Sequence, residues 1–173
     1  MNKLLDDLQE CGLPLALEMM GDRWSFMILR AAFNGICHFE DFQGALRIAR
    51  NILSSRLARL VDGGIMRRTP CPEDRRKVEY RLTEKGADLL PAMLALRQWG
   101  EKYGMGVPSG PVLADKRDRQ PIAAIAIHAH DGRPLGWDEL MWLHTRDLGK
   151  PGVDCCGPGD FPGRKPPATT PHG

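Results

Sequence analysis

The stretch Arg50-Asn51-Ile52-Leu53-Ser54-Ser55-Arg56-Leu57-Ala58-Arg59-Leu60-Val61-Asp62, closed by Gly63-Gly64, decides how this chain is read. Leu53, Leu57 and Leu60 recur at helical spacing, flanked by Ile52 and Val61, and predict an amphipathic helix over about 50–62. At about 100° per residue the opposite face carries Asn51, Ser54, Ser55, Ala58 and Arg59, with no acid and no bulky apolar group. Small hydroxyls, an amide and a guanidinium fit against base edges and phosphates in a major groove. Beyond the helix, Ile65-Met66-Arg67-Arg68-Thr69 and Val78-Glu79-Tyr80-Arg81-Leu82 read as two short strands. The segment joining them, Pro70 to Lys77, sets Arg75, Arg76 and Lys77 in succession near a hairpin tip, within reach of a sugar-phosphate backbone.

Upstream, Leu17, Met20, Trp24, Met27, Ile28, Ala31 and Ala32 keep helical spacing through residues 15–33. Gly21-Asp22 interrupts the run, and Asp22 is a suitable N-cap for a second helix that Gly35 stops. A short helix with Phe39, Phe42 and Leu46 on one face precedes the stretch quoted above. Downstream, Thr83 is expected to cap one long helix carrying Leu89, Leu90, Met93, Leu94, Leu96, Trp99 and Tyr103. The order is helix, helix, recognition helix, basic hairpin, helix. That order predicts a mostly α fold with a β-hairpin wing (α+β), a winged helix-turn-helix. The last helix carries more apolar surface than one small domain covers, so a homodimer is expected, with Leu4, Leu5 and Leu8 packing across from the partner.

Charge patterning agrees. Residues 43–85 hold eleven Lys and Arg against five acids, a local +6 inside a chain whose net charge is only +2. A basic segment in a nearly neutral chain suggests a face for a polyanion, double-stranded DNA. The apolar runs fall far short of the roughly 18 residues that span a bilayer. The N-terminus, MNKLLDDLQECG, has acids where a signal peptide has a basic flank, so a cytoplasmic protein without membrane contact is expected. Five cysteines at irregular spacing, with no C-x-x-C pair, give no disulfide framework.

Three stretches are expected along the 173 residues: a winged-helix and dimerisation domain over 1–104, an accessory β-rich extension over 105–148, and a disordered tail over 149–173, where six Gly and six Pro occupy 25 positions. In the extension, Val112-Leu113-Ala114, a turn at Asp115–Asp118, a strand over 122–130 and Asp131–Leu135 suggest a hairpin. His128 and His130 would share a face of that strand, where His144 or Cys155-Cys156 could complete a metal site, although the spacing matches no established one. Cys37 beside His38 is either a reactive pair or a buried thiol at a helix-helix turn. No nucleophile elbow, zinc-protease motif, P-loop or dinucleotide fingerprint occurs, so no enzyme, cofactor or metal site is expected.

The chain also resembles the HxlR-type (MarR-like) transcriptional regulators. The likeness covers about residues 8–104 and is carried by Gly21-Asp22-Arg23-Trp24, Ile28-Leu29, Gly35 and Phe39-Glu40-Asp41-Phe42. It continues through Ile48-Ala49-Arg50-Asn51-Ile52-Leu53, Arg56-Leu57, Leu60, Asp62-Gly63-Gly64-Ile65 and Val78-Glu79-Tyr80-Arg81-Leu82-Thr83-Glu84-Lys85-Gly86. Cys11 stands ten residues before Gly21, where many of these proteins carry a cysteine. His38 replaces the family's usual Arg, Gly12 its Pro, and Ala49 an N-capping Ser or Thr. The resemblance implies a homodimeric DNA-binding regulator that docks recognition helices in successive major grooves.

Together these readings assign Arg50, Asn51, Ser54, Ser55, Arg59, Arg75, Arg76 and Lys77 to DNA, and Cys11 to a candidate sensor of an oxidant or small-molecule effector. With no activation surface in view, the simplest action is repression from a near-palindromic operator. The alternative is a winged-helix interaction module that does not bind DNA.

Overall fold

The leucine stripe of the quoted stretch is where the fold closes. Leu53, Leu57 and Leu60 are fully buried and meet Ile28, Leu29, Phe42, Ile48, Ile65 and Met66 in one core. Each such side chain contributes about 1.5–3 kcal/mol of burial free energy. The computed structural model describes residues 11–71, 74, 77–104, 112–140 and 145–150. It divides into two compact units, Met1–Ile125 and Ala126–Gly173.

The first unit opens with α1 (Gly12–Met20), α2 (Arg23–Phe33), α3 (Phe39–Leu46) and α4 (Arg50–Asp62). Gly21 breaks the apolar run as expected, and Asp22 caps α2, its Oδ1 accepting from the backbone N–H of Trp24 at 2.9 Å and of Ser25 at 3.3 Å. α4 ends in a Schellman motif: Gly64 N–H donates to Val61 and Ile65 N–H to Leu60, both at 2.9 Å. Gly64 sits at φ +68°, a left-handed turn that any Cβ would strain, and this turn aims the chain into the wing.

The wing pairs β1 (Met66–Pro70) with β2 (Val78–Leu82) antiparallel, from Met66 opposite Leu82 to Pro70 opposite Val78. The loop after α2 adds to the far edge of β2: His38 bridges to Glu79, and Tyr80 N–H donates to Cys37 C=O at 2.7 Å. Arg75 and Arg76, at the expected wing tip, lie outside the described residues, as do Leu4, Leu5, Leu8, His144, Cys155, Cys156 and the tail beyond Lys150.

One long helix after Thr83 was the expectation, and the structure corrects it. Thr83 does cap, accepting from Gly86 N–H at 3.1 Å, but α5 (Glu84–Ala87) is a single turn. A separate α6 runs from Leu90 to Tyr103 with Pro91 in its first turn. Proline has no N–H and its ring clashes with the preceding turn, so it is accepted at a helix start and not in an interior. Gly86 is also required: a Cβ there would stand 2.2 Å from the Ile65 carbonyl oxygen.

The extended 122–130 strand is corrected as well. Only Ile127–His128 forms a strand, β3, paired with β4 (Pro134–Leu135) in the second unit. The partner offers two residues, one of them a proline without a donor. Earlier in the expected strand, the Gln98 side chain stands in for a neighbouring strand: its Nε2 donates to Ala123 C=O at 3.4 Å and its Oε1 accepts Ile125 N–H at 2.8 Å. The turn before it is as expected, with Ala114 bridged to Pro121 and Asp115 N–H donating to Gln120 C=O at 2.9 Å. His128 is exposed on β3 and His130 lies in the turn after it, so they do not share one strand face.

Candidate nucleic-acid interface

With its leucines buried, α4 has one face left for solvent. Arg50, Asn51, Ser54, Ser55, Ala58 and Arg59 are all exposed, and the only acid in the helix is Asp62 at its last position. The local sequence explains this directly, because burial of positions 53, 57 and 60 rotates the polar stripe outward.

Neighbouring elements orient several of these side chains. Arg50 lays its guanidinium over the Phe39 ring, 4.8 Å from the centroid, tying the start of α4 to the start of α3. Arg56, on the flank of the helix, donates from Nε to Asp22 Oδ2 at 2.6 Å and from a terminal nitrogen to Ser55 Oγ at 3.3 Å. The Arg56 guanidinium holds the Asp22 carboxyl below the usual aspartate range, against the opposing effect of burial. Arg59 is exposed, but its guanidinium turns back over Gly21 and donates to the Glu18 carbonyl near the C-terminus of α1. Its stem leaves from the exposed stripe of α4 while its guanidinium is engaged at the end of α1.

The start of α4 carries no side-chain cap. Ala49 is the N-cap residue and supplies no side-chain acceptor to the first-turn N–H groups. The preceding turn is tight, with Arg47 in the left-handed region at φ +49°.

On the wing, Arg67, Arg68 and Lys77 are exposed. Arg67 stands directly opposite Arg81 in the β1–β2 register, a like-charge pair across the ladder. Such a pair is unfavourable by itself and is relieved by an anion laid along it. Glu79 takes part of the load, its carboxylate 2.7 Å from Arg81 Nε. The sequence singled out the hairpin tip and passed over Arg67 and Arg81, because their opposition depends on the strand register.

Cys11 is half-buried at the head of α1, where its Sγ accepts Leu13 N–H at 3.5 Å as an N-cap. Among the described residues no cation is paired with it in the hydrogen bonds and ion pairs of the fold.

An exposed polar helix face beside a cationic wing is the arrangement of a winged helix-turn-helix. The comparisons agree. The family model of the HxlR-like helix-turn-helix matches residues 19–107, just over half of the chain, and this protein belongs to that family. An uncharacterized HTH-type transcriptional regulator of Mycobacterium tuberculosis is 47% identical over 96 residues, which span 56% of this chain and 60% of that one. The regulator YdeP of Bacillus subtilis is 32% identical over 99 residues, 57% of this chain and 77% of its own. Among solved structures, PA1607, a candidate transcription factor, superposes with a TM-score of 0.70 at 38% identity, covering 77% of this chain and 94% of its own. That coverage is wider than the stretch matched by the family model, so the likeness reaches into the accessory region. The relatives are named as transcriptional regulators and the family as an HxlR-like helix-turn-helix. Among the described residues no helix is long and apolar enough to cross a membrane.

Proposed function

We propose that this chain is a cytoplasmic repressor that binds a near-palindromic operator as a homodimer. The observation that carries the reading is the exposed, nearly acid-free stripe of α4 set beside a wing that exposes Arg67, Arg68, Lys77 and Arg81. Asn51, Ser54, Ser55 and Arg59 enter the major groove and read base edges. Arg50, the uncapped start of α4, and Arg75, Arg76 and Lys77 of the wing hold phosphates.

Two exposed apolar surfaces support the dimer. On α6, Leu96, Trp99 and Tyr103 are 56%, 66% and 60% exposed, and Trp99 packs on Tyr103 with ring centroids 5.6 Å apart. On α1, Leu13, Leu15 and Leu17 are exposed as well. Apolar surface of this extent marks an interface. A two-fold dimer then presents its recognition helices to half-sites about 10 bp or a small multiple apart. Cys11, at the head of the α1 surface, is placed to pass an oxidant or electrophile signal to that interface.

A gel shift with the DNA upstream of its own gene tests the reading. A complex competed by the same duplex and resistant to scrambled duplex is expected. Absence of binding to any duplex at low salt would replace the regulator with an interaction module.

A further inference from the structure

The α2–α3 loop and the wing bring together three side chains that DNA reading does not use. Cys37 Sγ, a His38 ring nitrogen and a Glu79 carboxylate oxygen lie within 4.8 Å of one another. Cys37 and His38 are half-buried and Glu79 is buried, 7% exposed. We propose that Cys37, His38 and Glu79 form a binding site for a divalent transition ion of the zinc class, which clamps the α2–α3 loop to wing strand β2.

The donor set selects the ion. Thiolate, imidazole and carboxylate together suit zinc and its neighbours, whereas magnesium and calcium take oxygen donors alone. Tetrahedral bonds of about 2.0–2.3 Å place ligand atoms about 3.5 Å apart. The cluster, within 4.8 Å, therefore needs a contraction of up to about 1.3 Å, which side-chain rotation can supply. Three protein ligands leave a fourth position for water.

The surroundings are those a metal centre requires. A ligating histidine gives its other ring N–H to a backbone carbonyl or carboxylate, which fixes ring and tautomer. His38 Nδ1 lies 3.4 Å from the Val78 carbonyl, an acceptor suited to the tautomer that donates from Nδ1 and leaves the Nε2 lone pair to a metal. A ligating carboxylate is itself held by hydrogen bonds. Glu79 is held by Arg81 through Oε2 at 2.7 Å and by the buried thiol of Cys71. The backbone is pinned on both sides by the His38–Glu79 bridge and the Tyr80–Cys37 hydrogen bond. On metal entry the S–H bond breaks, the sulfur–metal bond forms, and the proton passes to solvent. Spacing along the sequence hides this site, because Glu79 comes from the wing and Cys37-His38 from a loop before α3.

Cobalt(II) is the probe. The full-length protein, reduced and freed of metal by chelator, is titrated with cobalt(II) without DNA, so the outcome is independent of the DNA-binding reading. The expected result is one cobalt per chain, with a thiolate-to-cobalt charge-transfer band and the intense visible absorption of a tetrahedral centre, both displaced by zinc. Cys37→Ser should abolish the charge-transfer band. His38→Gln should weaken cobalt at least about tenfold, the loss that follows removal of even an outer hydrogen-bond partner of a metal site. Circular dichroism of both variants confirms that they fold. Cys11→Ser and the double change Cys155→Ser with Cys156→Ser should leave the spectrum unaltered. No thiolate band in the parent protein, or a band that survives in Cys37→Ser and is lost in the Cys155/Cys156 variant, overturns the proposal. Equal cobalt affinity in the parent and His38→Gln proteins also overturns it.

Discussion

Asp22 joins two helices through one carboxylate: Oδ1 caps α2, while Oδ2 lies 2.5 Å from a terminal nitrogen of Arg56 on α4. The contact ties α4 to the start of α2, and with it the exposed stripe that carries Asn51 and Ser55. Asp22→Ala removes cap and ion pair together and should destabilise the domain by about 1–2 kcal/mol, most of it from the cap. Asp22→Asn keeps an acceptor for the cap and loses the charge, so its loss should stay within about 1 kcal/mol, the range of partly exposed pairs. Urea unfolding of both variants measures this, and equal losses would show that the ion pair and not the cap carries the effect.

The same pair gives a pH dependence with a definite sign. Arg56 lowers the folded-state pKa of Asp22. Its contribution is therefore complete above the ordinary aspartate value of roughly 4, and it is lost as pH falls through the lower folded value. The stability gap between the parent protein and Asp22→Asn should be constant from pH 7 to about 5 and close below about pH 4. A gap that widened on acidification would contradict the lowered pKa.

Ala49 leaves α4 without a side-chain cap. Ala49→Ser should raise stability by about 1 kcal/mol, visible as a higher melting temperature. No rise would mean that the first-turn N–H groups of α4 already have another acceptor.

The order of elements up to the wing could be read from the chain because several boundaries carry a local signal. Asp22 caps, Gly35 and Gly64 close helices in left-handed turns, and the spacing of Leu53, Leu57 and Leu60 fixes which side of α4 is buried. What could not be read depends on contacts distant in sequence. The break at Pro91 sits in an unbroken apolar periodicity, which pointed to one helix. The irregular run over 123–125 is held by Gln98, a side chain from α6 that bonds Ala123 and Ile125 and that no strand pattern contains. Arg59 matched the base-reading face by angle alone, and its turn toward Glu18 needs α1 in place. The Cys37, His38 and Glu79 cluster depends on the loop pairing to β2.

Cys11 caps α1 through sulfur, a weak acceptor. Serine is a preferred cap, so Cys11→Ser should leave α1 and operator affinity intact or slightly strengthened. If Cys11 is the sensor, the parent protein should leave its operator on treatment with a quinone, aldehyde or peroxide, and the variant should stay bound. Release of the variant by the same dose would move sensing to another group.

The proposed function gives Arg59 to base reading and Lys77 to phosphate anchoring, and their variants test that division. Arg59 spans the exposed stripe of α4 and the Glu18 carbonyl, so Arg59→Ala should have two effects. It removes a cation near the C-terminus of α1, worth about 0.3–1 kcal/mol of stability. In the proposed reading it also removes a guanidinium that swings from Glu18 to a base edge, worth about 1–3 kcal/mol of discrimination between operator and scrambled duplex. Lys77, exposed on the wing, contributes charge alone. Lys77→Ala should weaken both duplexes evenly and make the slope of log affinity against log salt shallower by about one unit, the share of one phosphate contact. Binding of both variants to both duplexes over a salt series, with a melting curve for each, reads all of these effects. If Arg59→Ala weakens the two duplexes equally while its melting temperature falls, the guanidinium serves α1 and Asn51, Ser54 and Ser55 carry the base reading. If Lys77→Ala loses affinity for the operator alone, the wing reads sequence, and the division of labour between helix and wing is the reverse of the one proposed.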